Sequence, residues 1–166
     1  MYQASSAEFV VPRSTEERLD VALAAYGPDR QRCVAVLREL VEVEHDRAWP
    51  LLRAGKLLLA AREPELARVA LTRAAGLGRH LGRRFDADLT HARGLLAAQE
   101  RSDRTAERYL RSAHAAEPTY SVFAASVVEF LVQRRRADEA YAFAERVESR
   151  LADQGYFQAI RRGLHV

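Results

Sequence analysis

Two carboxylate–histidine pairs stand at a spacing that could hold a metal, Glu42-x-x-His45 and Asp88-x-x-His91. Residues three apart share a helix face, and helical di-metal sites use such pairs with two further carboxylates from other helices. The simpler reading puts Glu42 and His45 at an exposed helix end, where a histidine complements the C-terminal carbonyls. No metal site is expected. His80, His114 and His165 are isolated, and Ser112 and Ser126 belong to no Ser–His–Asp arrangement. Gly76-Leu77-Gly78 lacks the strand and the further glycine of a phosphate loop. Cys33 is the only cysteine, so neither an intrachain disulfide nor a cysteine metal cluster can form. The residues predict no enzyme and no cofactor.

Three basic clusters could bind phosphates if they converged: Arg79 to Arg84, Arg134-Arg135-Arg136 and Arg161-Arg162. Each falls at a predicted helix end, where arginine complements the helix dipole. Aromatic interleaving is absent, and 23 acidic residues nearly balance 26 basic ones. Nucleic acid is therefore not expected as the partner; a nucleic-acid-binding helical repeat is the alternative. Lys56 is the only lysine and there is no asparagine, a bias that reads as a GC-rich coding habit. The pI near 9.3 follows from arginine and does not by itself indicate nucleic acid.

With 48% apolar and 30% charged residues, the chain has an ordinary globular balance. Its 166 residues can bury roughly two-thirds of the unfolded surface as one domain. No segment approaches the ~20 apolar residues of a membrane span. The expectation is a cytoplasmic protein with no membrane partner.

The elements that must position these residues are all helical. Residues 1–13 carry no helical period and read as a flexible arm, with Phe9-Val10-Val11-Pro12 as a short apolar stretch. Ser14 and Glu17 form a capping box that opens a helix to about Tyr26. Gly27-Pro28 breaks it. The next helix carries Cys33, Val36, Leu37, Leu40 and Val43 on one face, and Glu44-His45-Asp46 is the next break. A third and a fourth helix flank Glu63-Pro64. Arg79 to Phe85 departs from the period, as an extended loop or an elongated helix end. Helices then run from Ala87 to about Glu100 and from Ser102-Asp103 to Pro118. A last hairpin spans 119–152 with its turn near Arg136–Asp138. A closing helix runs from about Asp153 to Arg162, with Phe157 and Ile160 on one face. Residues 14–166 make one domain.

Small residues recur through these helices at fixed gaps of twelve and seven: Gly55, Ala67 and Ala74; Gly94, Ala106 and Ala113; Val128, Ala140 and Val147. The last two sets lie 34 residues apart, the period of a helix–turn–helix repeat. Glycine or alanine where two helices cross lets the backbones approach closely, while Leu71 and Leu110 fill the core between.

Gly94, Ala106, Leu110, Ala113 and Pro118 resemble the tetratricopeptide repeat at its positions for a small residue, alanine, an aromatic or leucine, alanine and proline. Gly55, Ala67, Leu71 and Ala74 resemble it equally but lack the proline. The third set is degenerate, and 14–47 matches poorly as a fourth hairpin. The resemblance covers 48–152. It implies a right-handed superhelix of antiparallel helical hairpins, closed here by the C-terminal helix. It also implies that the first helix of each hairpin lines a concave face. That face would carry Trp49, Leu52, Lys56 and Leu59, then Asp88, His91, Leu95 and Gln99, then Val122, Glu129, Val132 and Gln133, with Trp49 equally able to pack in the core. This mixture suits a peptide or helix of a partner protein with a few apolar anchors. The resemblance thus implies a non-catalytic scaffold, adaptor or chaperone. The family's clamp for C-terminal carboxylates uses paired asparagines and lysines and cannot be built here. The architecture is also similar to small three-repeat chaperones of bacterial secretion systems. The Phe9–Pro12 arm is a candidate occupant of the groove, and homo-oligomerisation stays open.

Overall fold

In a computed structural model, residues 14–155 and 157–158 are described, and they form eight helices and no strand. In order these are α1 (Thr15–Ala25), α2 (Arg30–Val43), α3 (Ala48–Ala60), α4 (Pro64–Leu77), α5 (Arg83–Gln99), α6 (Asp103–Ala116), α7 (Ser121–Gln133) and α8 (Ala137–Glu148). Consecutive helices pack as hairpins, α1 with α2 through α7 with α8, and each hairpin stacks on the next. The arm at 1–13 lies outside the described residues, as does most of the closing helix. Of the latter, 154–155 and 157–158 are helical, and Phe157 is fully buried.

Local chemistry explains several boundaries. Ser14 accepts from the Glu17 N–H at 3.1 Å while the Glu17 carboxylate accepts from the Ser14 N–H at 3.1 Å, so the capping box is complete. Pro28 stands ahead of α2, whose cap is Asp29, accepting from the Arg32 N–H. Pro64 instead occupies the first turn of α4, where its missing N–H has no intrahelical partner to lose. The five residues in excess of the 34-residue period are absorbed by the loop 78–82 and by an earlier start of α5, at Arg83 rather than Ala87. Phe85 thereby becomes a buried helical residue packed where a Cβ on Gly78 would stand.

The small residues sit where bulk would collide. A Cβ on Gly55 would stand 2.7 Å from Leu71 Cδ2, and one on Gly94 would stand 2.8 Å from Leu110 Cδ2 and 3.1 Å from the Leu110 backbone nitrogen. In the fourth hairpin the residue corresponding to Leu71 and Leu110 is Ala144, and the one corresponding to the glycines is Val128; both are fully buried. Valine is accommodated because its counterpart is alanine. The departure of the third set at Val128 is thus an exchange of bulk between the two helices, while Val147 keeps a larger residue where Ala74 and Ala113 stand.

The turn inside each of the last three hairpins closes in the same way. Arg62, Arg101 and Arg135 adopt left-handed φ values of 61°, 59° and 59°. The following N–H groups, of Glu63, Ser102 and Arg136, reach back to the Leu58, Ala97 and Leu131 carbonyls at 2.9 Å. This is the Schellman termination, normally built on glycine or asparagine. The last turn therefore lies at Arg134–Arg136, ahead of the expected Arg136–Asp138. Holding a non-glycine residue there costs about 1 kcal/mol.

The first two hairpins are joined by a buried carboxylate. Glu44, 6% exposed, accepts from Thr15 Oγ1 at 2.8 Å, from the Asp46 and Arg47 N–H groups at 3.2 Å, and from the Arg47 guanidinium. Burial alone would raise its pKa, but these donors outweigh it and hold the carboxyl below its usual value. Arg73 of α4 donates to the Val41 and Glu44 carbonyls, satisfying the C-terminal end of α2.

Candidate functional site

The C-terminal halves of α3, α5 and α7 open onto one groove of about 760 Å³. Ala60 from α3 and Leu95 and Ala98 from α5 give it an apolar surface, with Leu59 buried beneath. Lys56, Gln99, Glu129 and Gln133 supply polar groups, and Arg62, Arg101 and Arg134 stand along the edge formed by the hairpin turns. Two carbonyls at corresponding places on α3 and α5 are each satisfied from the next hairpin. Gln99 Nε2 donates to the Leu59 carbonyl at 2.6 Å, and Arg134 Nη2 donates to the Ala98 carbonyl at 3.1 Å. Arg134 also pairs with Asp103 at 2.7 Å. Glu129 is exposed by surface area, yet the protein around it desolvates the carboxyl enough to push its pKa up.

The N-terminal halves of the same helices are closed. The Trp49 and Phe85 rings meet edge-on with centroids 5.1 Å apart. Lys56 Nζ reaches Asp88 Oδ1 at 3.1 Å, and Arg84 Nε approaches Asp88 Oδ2 at 3.3 Å. The Arg84 guanidinium lies 4.3 Å from the Tyr120 ring centroid. His91 Nε2 is 2.8 Å from Ser126 Oγ, and Ser126 in turn donates to the Val122 carbonyl at 3.0 Å. That arrangement makes Nε2 the protonated nitrogen and leaves the buried Nδ1 without a partner. Burial, and secondarily the Lys56 cation, lower the His91 pKa to about 4 against the opposing pull of Asp88. The imidazole is therefore neutral near pH 7.

The structure thus divides the expected groove residues. Lys56, Leu95, Glu129 and Gln133 come together in the groove, with Gln99 beside them and Leu59 buried beneath, 2% exposed. Leu52, Asp88 and His91 do not line it: they are 1%, 6% and 3% exposed, in the packed half of the same helix faces. Trp49 is 39% exposed and borders a separate cavity of about 520 Å³ with Arg53, Leu77 and Leu81. Residue patterning missed Ala60 and Ala98, as well as Arg62, Arg101 and Arg134 on the edge. The signal for Arg62 and Arg101 was available, because both stand just past the end of a first helix, at matching places in successive hairpins.

The Asp88–His91 pair is consumed by Lys56, Arg84 and Ser126, and no group of three or more His, Cys, Asp or Glu converges among the described residues. The basic clusters do not converge either. Arg83 and Arg84 start α5 and Arg134–Arg136 follow α7, at opposite ends of two helices that run the same way. Most are engaged: Arg84 with Asp88, Arg83 with Glu117, Arg134 with Asp103, and Arg136 with Glu107 and Glu139. Arg161 and Arg162 lie outside the described residues. No helix among the described residues is long and apolar enough to cross a membrane. Compared with known proteins, the chain matches no family model, and neither a curated protein nor a solved structure matches it.

Proposed function

We propose that this chain is a non-catalytic binding module of tetratricopeptide-repeat type that receives a segment of a partner protein in the groove of α3, α5 and α7. The observation that carries the reading is the opening of three successive hairpins onto one continuous groove with an apolar floor and few polar groups. Leu95, with Ala60 and Ala98 beside it, would take an apolar anchor of the segment. Glu129 and Gln133 would meet its backbone N–H groups, which an extended peptide leaves unpaired. An adaptor, a scaffold and a chaperone all fit this description. A phosphate-binding role for the arginine clusters is disfavoured by their separation and by their carboxylate partners.

Selection of a random 12-residue peptide library on the protein tests the reading. The counter-selection variant is Ala60→Trp/Gln133→Trp, which fills the groove from two exposed positions. Peptides that bind wild type and lose binding to the variant are expected. Peptides that bind both proteins equally, or no enrichment at all, would remove the groove as the site.

A further inference from the structure

We infer that the segment received by the groove is acidic and extended, with two carboxylates about three residues apart that pair with Arg62 and Arg101. This deepens the groove reading and rests on it. Arg62 and Arg101 both line the groove, and both stand at the left-handed position of their hairpin turns. A shared backbone conformation at corresponding places directs the two side chains alike from successive hairpins. Neither guanidinium has an ion-pair partner among the described residues. The other cations of the groove are occupied, Lys56 by Asp88 and Arg134 by Asp103. Two free guanidinium forks on one edge call for carboxylates, which they bind in a planar, bidentate way.

Spacing sets the register. Adjacent packed helices are about 8–10 Å apart, and an extended segment in the polyproline II conformation rises about 3.1 Å per residue with three residues per turn, so its residues i and i+3 share a face. A chain running from hairpin to hairpin therefore presents every third residue to successive turns. A phosphate backbone suits the groove less well. Its lining holds no aromatic ring for base stacking.

The library selection described above also carries the test, read for composition and repeated on Arg62→Gln/Arg101→Gln. Both arginines are exposed, so the variant should keep the wild-type circular dichroism and melting temperature. Groove-dependent peptides enriched in Asp or Glu at i and i+3 are expected. A synthetic peptide of the leading sequence should lose about tenfold or more in affinity for the arginine variant and weaken with added salt. Groove-dependent peptides that are neutral or basic, or an acidic peptide that binds the variant as well as wild type, would overturn the inference while leaving the groove reading standing. Displacement of the acidic peptide by a dT20 oligonucleotide at matched charge would reassign the edge to phosphates and overturn it too. Failure to enrich any groove-dependent peptide would remove both.

Discussion

Each of α3, α5 and α7 has a closed half and an open half on one continuous face. Toward their N-termini the three helices are joined by Trp49 on Phe85 and His91 on Ser126, and Lys56 reaches back from the groove to Asp88. Toward their C-termini the same helices carry Ala60, Leu95, Glu129 and Gln133 against open space. Helix periodicity is identical in both halves; what differs is the side chain standing on the neighbouring hairpin. The comparison teaches that a stacked helical array can use one end of its first helices for cohesion and leave the other for recognition.

If that division is right, substitutions in the closed half should cost stability and those in the open half should not. Phe85→Ala should have the largest effect, a loss of about 3–5 kcal/mol in urea unfolding, because it empties a fully buried site between Trp49 and Gly78. A loss under about 1 kcal/mol would mean that the closed half is looser than described.

The next effect is titratable. His91 has a folded pKa of about 4, below its ordinary 6.5, so the unfolded chain takes up the proton first. Its contribution is intact above pH 6.5 and is lost as pH falls from 6.5 to 4, by roughly 3 kcal/mol in all. Burial also lowers His114, which adds a loss of the same sign. The difference between wild type and His91→Leu isolates His91, and leucine is the residue that Leu52 already supplies at the corresponding place on α3. The variant should unfold with a flatter pH dependence between pH 6.5 and 4.5; an unchanged slope would show that His91 is solvated.

Smaller effects belong to the open end. Arg135→Gly relieves a left-handed residue that the groove does not use, and it should raise stability by about 1 kcal/mol. The groove-filling pair Ala60→Trp/Gln133→Trp should leave the unfolding free energy within about 0.5 kcal/mol of wild type while changing peptide binding. A large destabilisation by that pair would erase the distinction between the halves.

Much of the fold was legible in the residues. The Ser14–Glu17 box, the breaks at Gly27-Pro28 and Glu63-Pro64, and the glycines facing Leu71 and Leu110 all follow from local chemistry. The site was legible only in part. Leu52 and Leu59 share a face of α3 and both are buried, because periodicity does not show how far the next hairpin covers that face. Phe85 was placed in an irregular stretch because the five additional residues hide the phase of α5. Glu44 gave no sign of burial, since its partner Thr15 is 29 positions away. The left-handed arginines escaped for another reason. Neither glycine nor asparagine marks those turns, and only the recurrence of arginine at 62, 101 and 135 does.

The exchange of bulk between Val128 and Ala144 bears on how such a chain can drift. In each case the two members of a crossing lie sixteen positions apart within one hairpin: Gly55 with Leu71, Gly94 with Leu110, and Val128 with Ala144. A duplication of one hairpin therefore copies lock and key together. A descendant can reverse the pair with two nearby changes, without asking the adjoining copies to follow. Ancestry in such an array is better traced through these complementary couples than through either column of residues alone.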